Sequence, residues 1–382
     1  MDRQLAIYIA GLQQQKPTLP VAYADMQAKA KTVMKPEAYA YVAGGAGSED
    51  TMRANRDAFL RWRIVPRMMR DVSTRDLGVD LLGHRMPAPV LLAPIGVLGI
   101  VHEEAEIAVA RAARSLGLTQ VLSTVSSKPI EAVAEAHGDN PRWFQLYWGR
   151  NPEFTASLLR RAEASGYSAL VVTLDTKLLA WRERDIQHAY LPFLYGDGLA
   201  NYFADPVFRA ALDAPPEENP FGAIQYFAQI FANPTLTWAD LAFLREHTKM
   251  PIIVKGIMHA DDARQALDHG VDGMIVSNHG GRQVDGALGA LAALPPVVEA
   301  VDEAVPVLFD SGIRRGADVF KALALGARAV LLGRPYVYGL ALDGEQGVRD
   351  VLLNLLADFD LTLALTGCTS TPEITREYLA GG

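Results

Sequence analysis

Pro251-Ile252-Ile253-Val254-Lys255-Gly256 and Gly273-Met274-Ile275-Val276 are two short apolar runs separated by an amphipathic helical stretch at 261–269. Such alternation indicates βαβ units and a parallel sheet, because strands buried on both faces are apolar along their length. The same alternation holds along the chain, with strands predicted at 89–96, 119–124, 142–147, 169–175, 251–256, 273–280, 305–312 and 329–334. Eight strands, each followed by a helical stretch, predict an α/β fold of the (β/α)8 (TIM) barrel type. A doubly wound open sheet is the alternative, but the first strand is not followed by a Gly-x-Gly-x-x-Gly turn.

Two segments fall outside the barrel repeat. Residues 1–88 contain helical patterns at 23–33 and 36–42 and are predicted to form an N-terminal helical cap. Residues 187–236 interrupt the fourth βα unit, and a long insertion on this face predicts a lid over the active site. A barrel takes about 250 residues and tolerates insertions, so one domain over 1–382 accounts for the chain.

Composition excludes several classes of protein. Half of the 382 residues are hydrophobic and 21% are charged, which is typical of a globular chain with a sizeable core. A net charge of -8 disfavours a nucleic-acid partner. No apolar run approaches 18 residues, so we expect no membrane span and a cytoplasmic protein. Cys368 is the single cysteine, expected to pack within the last helix, and neither an internal disulfide nor a metal site is predicted.

Polar residues follow the ends of several predicted strands. His279 and Arg282 come directly after the sixth strand, where an imidazole can accept a proton and a guanidinium can bind a carboxylate. This pairing suits deprotonation of a small carboxylic acid. Since the carboxyl ends of barrel strands meet at one mouth, we expect convergence of Gln145, Tyr147, Thr173, Asp175, Lys255, Ser277, His279, Arg282, Asp310 and Arg334.

The loops after the last two strands predict an anion site. They read Asp310-Ser311-Gly312-Ile313-Arg314 and Gly333-Arg334, with a helix expected to begin near Ala317. Glycine-rich backbone, a helix amino terminus and arginines together favour a phosphate. The residues alone do not tell whether a cofactor or a substrate carries it.

Several motifs resemble the signatures of the FMN-dependent 2-hydroxy-acid oxidases. The resemblance extends from about residue 19 to the last helix and rests on Phe144-Gln145-Leu146-Tyr147, Val254-Lys255-Gly256, Ser277-Asn278-His279-Gly280-Gly281-Arg282-Gln283 and Asp310-Ser311-Gly312-Ile313-Arg314-Arg315-Gly316. Within the family, the lactate monooxygenase branch is most similar in the stretches at 18–25 and 201–208, in Tyr41-Val42-Ala43-Gly44-Gly45 and in Leu174-Asp175-Thr176.

The resemblance implies roles for individual residues. FMN would contact Pro94, Ile95, Gly96, Ser123, Gln145, Thr173, Lys255 and Ser277, and its phosphate Asp310, Ser311, Gly312, Ile313, Arg314, Gly333 and Arg334. The substrate would contact Tyr23, Tyr147, Arg182, His279 and Arg282. His279 would take a proton, Asp175 would orient it, Tyr147 would bind the α-oxygen, and both arginines would hold the carboxylate.

The implied activity is oxidation of a small L-2-hydroxy acid, with L-lactate favoured and O2 as electron acceptor. Gly96, where other members carry alanine, favours lactate 2-monooxygenase over L-lactate oxidase. Other 2-hydroxy acids such as mandelate, and the different chemistry of an FMN-dependent isomerase, stay open as alternatives. The resemblance also implies a homotetramer or octamer.

Overall fold

The computed structural model describes residues 3–381 and begins with a cap of helices and short strands. Its elements are α1 Arg3–Leu12, α2 Tyr23–Val33, α3 Pro36–Ala43, α4 Asp50–Arg61, β1 Trp62–Ile64, β2 Val79–Leu81 and β3 His84–Met86. The two helices predicted in this segment are present, and α2 has the predicted bounds.

Eight parallel strands then close into a barrel, confirming the predicted fold class. They are β4 Val90–Leu92, β5 Gln120–Ser123, β6 Arg142–Leu146, β7 Ala169–Thr173, β8 Ile252–Ile257, β9 Gly273–Val276, β10 Val307–Phe309 and β11 Ala329–Leu332. Pairing runs in chain order from β4 to β11, and β11 pairs with β4 through Leu331 and Leu91. The final strand, β12 Leu379–Gly381, pairs antiparallel with β1.

Helices cover the outside of the barrel and fill the insertion. They are α5 Ala105–Ser115, α6 Ile130–His137, α7 Pro152–Ala164, α8 Glu183–Gln187, α9 Ala200–Phe203, α10 Pro206–Ala210, α11 Pro220–Phe231, α12 Leu241–His247, α13 Ala260–Asp268, α14 Ala290–Val301, α15 Gly316–Ala324 and α16 Arg334–Thr366. The last of these is broken at Asp343 and Gly344, whose backbone angles are not helical.

The barrel strands bury side chains on both faces, which explains their unbroken apolar runs. Leu91, Trp143 and Ile253 point to the interior and pack with Val79 and Met86 of the β2–β3 hairpin. That hairpin directly precedes β4, so it closes the amino-terminal end of the barrel. Neighbouring strand residues such as Leu92 and Phe144 join the larger core between strands and helices.

The insertion after the fourth barrel strand is a packed layer. Tyr202 and Phe208 are buried within it, and the ring of Phe154 in α7 stacks on Tyr202 and lies tilted against Phe208. The side chain of Asn201 donates to the carbonyl oxygens of Ser123 and Thr124, at 3.3 and 3.0 Å, and thereby ties the insertion to the end of β5. The predicted lid is therefore anchored to the barrel along this stretch.

Two smaller findings concern the end of the chain and its helices. Cys368 is buried but lies just beyond α16, so its predicted place inside the last helix was wrong. Across residues 3–381, no helix combines the length and the apolar character that crossing a bilayer requires.

Asp205 is the ionic anchor of the insertion and gives a test of its packing. This fully buried carboxylate accepts from Ser157 Oγ at 2.9 Å and Arg161 Nη1 at 3.1 Å, and it caps α10 through the amide of Val207. Asp205→Ala removes the buried acceptor of the Ser157 hydroxyl and of the Val207 amide, while Arg161 keeps its second carboxylate partner, Glu131. We therefore expect the free energy of unfolding to fall by about 1–3 kcal/mol. Asp213→Ala, at an exposed carboxylate of the same insertion, is the matched control. Equal chemical denaturation midpoints for the two variants would contradict the anchoring role.

Candidate active site

A cavity lies at the carboxyl ends of the barrel strands, where the sequence predicts convergence. Among the predicted residues that line it are Pro94, Ile95, Gly96, Tyr147, Arg182, Lys255, His279, Arg282, Asp310, Ser311, Gly312, Ile313, Arg314, Gly333 and Arg334. Ser123, Gln145, Thr173, Ser277 and Asp175 do not line this cavity but hydrogen bond to one another or to residues that do.

His279 and Asp175 form a hydrogen-bonded pair at the cavity wall. His279 Nδ1 lies 2.8 Å from Asp175 Oδ1, and its Nε2 lies 3.4 Å from the hydroxyl oxygen of Tyr147. The turn after β9 places the imidazole, with His279 in the left-handed region at φ 58° and its amide donating to Ser277 Oγ. The ring thus presents one nitrogen to a carboxylate and the other to the cavity side.

The pair is arranged for proton acceptance. Burial lowers the pKa of His279, although the charge of Asp175 opposes that effect. Burial alone would raise the pKa of Asp175, but the charges of His279 and Lys255 and the hydrogen bonds from His279 and Thr176 outweigh it and hold this pKa at about 2. Near neutral pH the carboxylate is therefore ionised and accepts from Nδ1–H, which leaves the lone pair on Nε2.

Gly256 makes room for Asp175. A Cβ at this position would lie 2.9 Å from the Cβ of Asp175, closer than side-chain carbons approach, and the glycine has φ 113°. It sits at the irregularity in the β8–β9 register between Lys255 and Ile257. The Lys255-Gly256 dipeptide therefore supplies a cation and a close backbone approach at adjacent positions.

A row of polar side chains runs across the ends of neighbouring strands. Ser123 Oγ donates to Gln145 Oε1 at 3.1 Å, and Gln145 Nε2 donates to Thr173 Oγ1 at 2.9 Å. Lys255 Nζ donates to Ser277 Oγ at 3.0 Å and lies 3.2 Å from Asp310 Oδ2. Burial would lower the pKa of Lys255, but Asp310 and Asp175 raise it, so the ammonium stays charged.

Buried positive charge dominates the cavity. Its lining includes Arg182, Lys255, Arg282, Arg314 and Arg334 against one carboxylate, that of Asp310. Burial and the nearby charge of Arg182 lower the pKa of Arg282 to about 9, and burial also lowers that of Arg314. Such a set of cations fits anionic ligands such as phosphates and carboxylates.

The loops predicted to bind a phosphate differ from the prediction in one detail. The helix expected near Ala317 begins at Gly316, but the Gly316 amide already donates to Asp358 Oδ2 at 2.6 Å. The Arg314 amide likewise donates to Asp318 Oδ2 at 3.0 Å. The helix terminus that faces the cavity is instead that of α16, which begins at Arg334 in the second predicted loop.

The structure places Tyr23 outside this cavity, which argues against its predicted substrate contact. Its ring packs 4.3 Å from the Arg314 guanidinium and 5.9 Å from Tyr338, facing a neighbouring groove. The tyrosine that lines the cavity is Tyr41, over whose ring Arg282 lies at 4.9 Å. Tyr41 belongs to the quoted Tyr41-Val42-Ala43-Gly44-Gly45 motif, which was the available signal for it.

Arg182 and Arg282 enter the cavity from different loops. Arg182 is 6% exposed and precedes α8 in the segment after β7. Its Nε donates to the carbonyl oxygen of Arg282 at 3.1 Å. Arg282 in turn donates to the carbonyl oxygens of Gly44 and Tyr41 at the end of α3. The cap thus fixes Arg282, and the backbone carbonyl of Arg282 fixes Arg182.

Several known proteins are similar to this chain in sequence and in architecture. The family model described as FMN-dependent dehydrogenase matches residues 30–381. An L-lactate oxidase of Lysinibacillus sphaericus is 45% identical over 92% of this chain and 90% of its own length, and human 2-hydroxyacid oxidase 1 is 41% identical over 92% and 94%. A crystal structure of mandelate oxidase superposes with a TM-score of 0.84 at 38% identity, covering 95% of this chain and 98% of that one. The chain therefore belongs to the FMN-dependent dehydrogenase family.

Proposed function

We propose that this protein oxidises a small L-2-hydroxy acid, with L-lactate as the preferred substrate. The observation that carries the proposal is the His279–Asp175 pair, set in one cavity with the guanidinium groups of Arg182 and Arg282. A base beside two carboxylate-binding cations is what proton removal from a hydroxy acid requires. The same arginines argue against the FMN-dependent isomerase alternative, which needs a diphosphate pocket in their place.

FMN, the cofactor of this family, supplies a two-electron acceptor when bound. The residues fit it, since the Ser123–Gln145–Thr173 row and Lys255 would hold its ring, and the loops at Gly312 and Gly333 its phosphate. Lys255 would place a fixed positive charge where reduction adds negative charge.

The chain's own groups would carry out the proton transfer. Arg182 and Arg282 bind the substrate carboxylate, and the Tyr147 hydroxyl orients the α-oxygen. The substrate loses two electrons and two protons as it becomes the 2-oxo acid, and His279 Nε2 accepts one of these protons. The two electrons and the second proton would pass to FMN when it is bound. Asp175 stabilises the resulting imidazolium, because its carboxylate stays ionised at 2.8 Å from Nδ1.

Apolar side chains define the space for the substrate's own side chain. Val125, Leu179, Phe193 and Phe231 line the cavity, the last two supplied by the insertion. Such a wall suits the methyl group of lactate. Larger 2-hydroxy acids are the alternative, favoured by the similarity to mandelate oxidase.

We propose lactate 2-monooxygenase as the outcome with O2. Pyruvate and the H2O2 formed from O2 would be retained together, and the peroxide would oxidise pyruvate to acetate with release of CO2 and water. The resemblance of residues 201–208 to the lactate monooxygenase branch supports this outcome. That stretch ties the insertion to the barrel, and a fixed insertion would help to retain the 2-oxo acid. Gly96 supports it less than expected, because a Cβ there would lie 2.5 Å from Val125 Cγ2, which is reason enough for glycine. L-lactate oxidase, yielding pyruvate and H2O2, is the second candidate and is favoured by the 45% identical relative. The homo-oligomer and the cytoplasmic location stay predictions.

Turnover of L-lactate tests the proposal directly. Anaerobic addition to the FMN-loaded protein should bleach the oxidised-flavin absorbance. His279→Ala should lower the rate of bleaching by about 10²–10⁴-fold while FMN stays bound, because only the base is lost. His84→Ala, at an exposed histidine of β3, should bleach like the unaltered protein.

Product analysis in air separates the two outcomes. Acetate and CO2 without free peroxide are expected, whereas pyruvate with stoichiometric H2O2 would replace the monooxygenase by the oxidase. Persistent oxidised-flavin absorbance with every 2-hydroxy acid tried would refute the proposed function.

Acid pH should inactivate the enzyme through His279. The base works only when neutral, so kcat/KM should be constant above the His279 pKa and fall below it. Because burial lowers this pKa from 6.5, the fall should lie below pH 6.5. In Asp175→Asn the charge that raises the His279 pKa is gone, so the fall should move to still lower pH while the plateau drops about 10²–10⁴-fold. A pH profile that moves to higher pH instead would argue against His279 as the base.

The two tyrosines make a matched pair of substitutions. Tyr41→Phe should raise the KM for L-lactate about tenfold, the effect of losing one hydrogen bond to a charged group. Tyr23→Phe should leave KM within about twofold, since Tyr23 lies in the neighbouring groove. Steady-state kinetics of both variants measure the two KM values. A larger rise in KM for Tyr23→Phe than for Tyr41→Phe would support the substrate contact predicted for Tyr23.

A further inference from the structure

Gln283 bridges two loops of the candidate site through its side-chain amide. Its Nε2 donates to the carbonyl oxygen of Asp175 at 2.7 Å and to that of Leu178 at 3.2 Å. Its Oε1 accepts from Arg182 Nη2 at 3.0 Å. One side chain therefore contacts the backbone of the residue that pairs with His279 and the guanidinium of a carboxylate-binding arginine.

Arg182 depends on this loop for its orientation. It is almost fully buried, and its Nε donates to the carbonyl oxygen of Arg282, the residue before Gln283. The carboxylate of Asp185 lies farther away, at 3.9 Å from Nη1. The Arg282 carbonyl oxygen and Gln283 Oε1 thus hold the Nε and Nη2 edge of the Arg182 guanidinium. The loop that carries His279 therefore sets the direction of this guanidinium.

We propose that Gln283 is a positioning residue that fixes Arg182 relative to the His279–Asp175 pair. This inference rests on the proposed function, since it assigns Arg182 to the substrate carboxylate. By holding both partners, Gln283 keeps the distance between the carboxylate-binding cation and the base matched to one small 2-hydroxy acid.

The chemistry of the contacts selects glutamine. The side chain must accept from a guanidinium and donate to two carbonyl oxygens at once, which a primary amide can do. Glutamate keeps the acceptor but lacks the donor, and methionine has a similar length but neither group. Gln283 itself is only half-buried, so its truncation opens no cavity in the core.

Gln283→Met removes both contacts and tests the proposal. The probe of binding is 2-hydroxy-2-methylpropanoate, which has the carboxylate and hydroxyl but no α-hydrogen to lose. Its Kd, measured from the perturbed flavin absorbance, should rise about tenfold, and kcat/KM for L-lactate should fall at least tenfold. FMN content and Tm should stay those of the unaltered protein. Gln265→Met, at an exposed glutamine of α13, is the control and should change neither quantity.

A double-mutant cycle with Arg182→Met shows whether Gln283 acts through that arginine. The combined variant should bind the probe about as weakly as Arg182→Met alone, because the contact is already lost. Additive losses, or a Gln283→Met variant with unchanged Kd and kcat/KM, would overturn the inference while leaving L-lactate turnover by the unaltered protein, and so the proposed function, intact.

Gln283→Glu is a second, independent variant. Its added carboxylate competes with the substrate for Arg182, so KM should rise more than in Gln283→Met. A KM equal to that of the unaltered protein would contradict the proposal. Absence of turnover by the unaltered protein would instead refute the proposed function on which it rests.

Discussion

The burial of several cations around one cavity is the constraint on which the rest of the site depends. Lys255 is neutralised by Asp310, whereas Arg282 and Arg334 are held by carbonyl oxygens of the cap, at Gly44 and Val42. Carbonyl oxygens satisfy donors but bring no full negative charge, so positive charge remains uncompensated in a desolvated space. Binding of the proposed phosphate and carboxylate there would relieve that repulsion, which would tie cofactor affinity, substrate affinity and the stability of the cap to the same electrostatic balance.

Barrel closure decides which residues meet beside this buried positive charge. Parallel strands end at one mouth, so His279 after β9 and Asp175 after β7 meet although more than a hundred positions separate them in the chain. The cap adds what the strands do not supply. Tyr41 and the carbonyl oxygens at the end of α3 reach Arg282 from outside the repeat. Strand order thus provides the proposed base, and the cap would provide part of the surroundings of the substrate carboxylate.

Local pattern was enough to predict the eight strands, because each one is an apolar run buried on both faces. It was also enough for residues at strand ends, such as Lys255 and His279, whose direction follows from the barrel. Local pattern could not tell which of Tyr23 and Tyr41 lines the cavity. Both lie on cap helices, whose packing against the barrel depends on tertiary contacts. The Asp358 contact with Gly316 escaped prediction for the same reason, as its two partners lie on different helices. Gln283 belongs to a quoted motif, but the sequence does not show that its side-chain amide contacts Arg182 and the backbone of Asp175.

The pairing of β1 with β12 has a consequence for how the molecule is assembled. Trp62–Ile64 can pair only with Leu379–Gly381, so this small sheet forms only after all eight barrel strands have been synthesised. A contact of such long range contributes little to early folding and closes late. The segment that leads out of α4 is therefore among the last to settle during biogenesis, and a nascent chain released early would leave it without its partner strand.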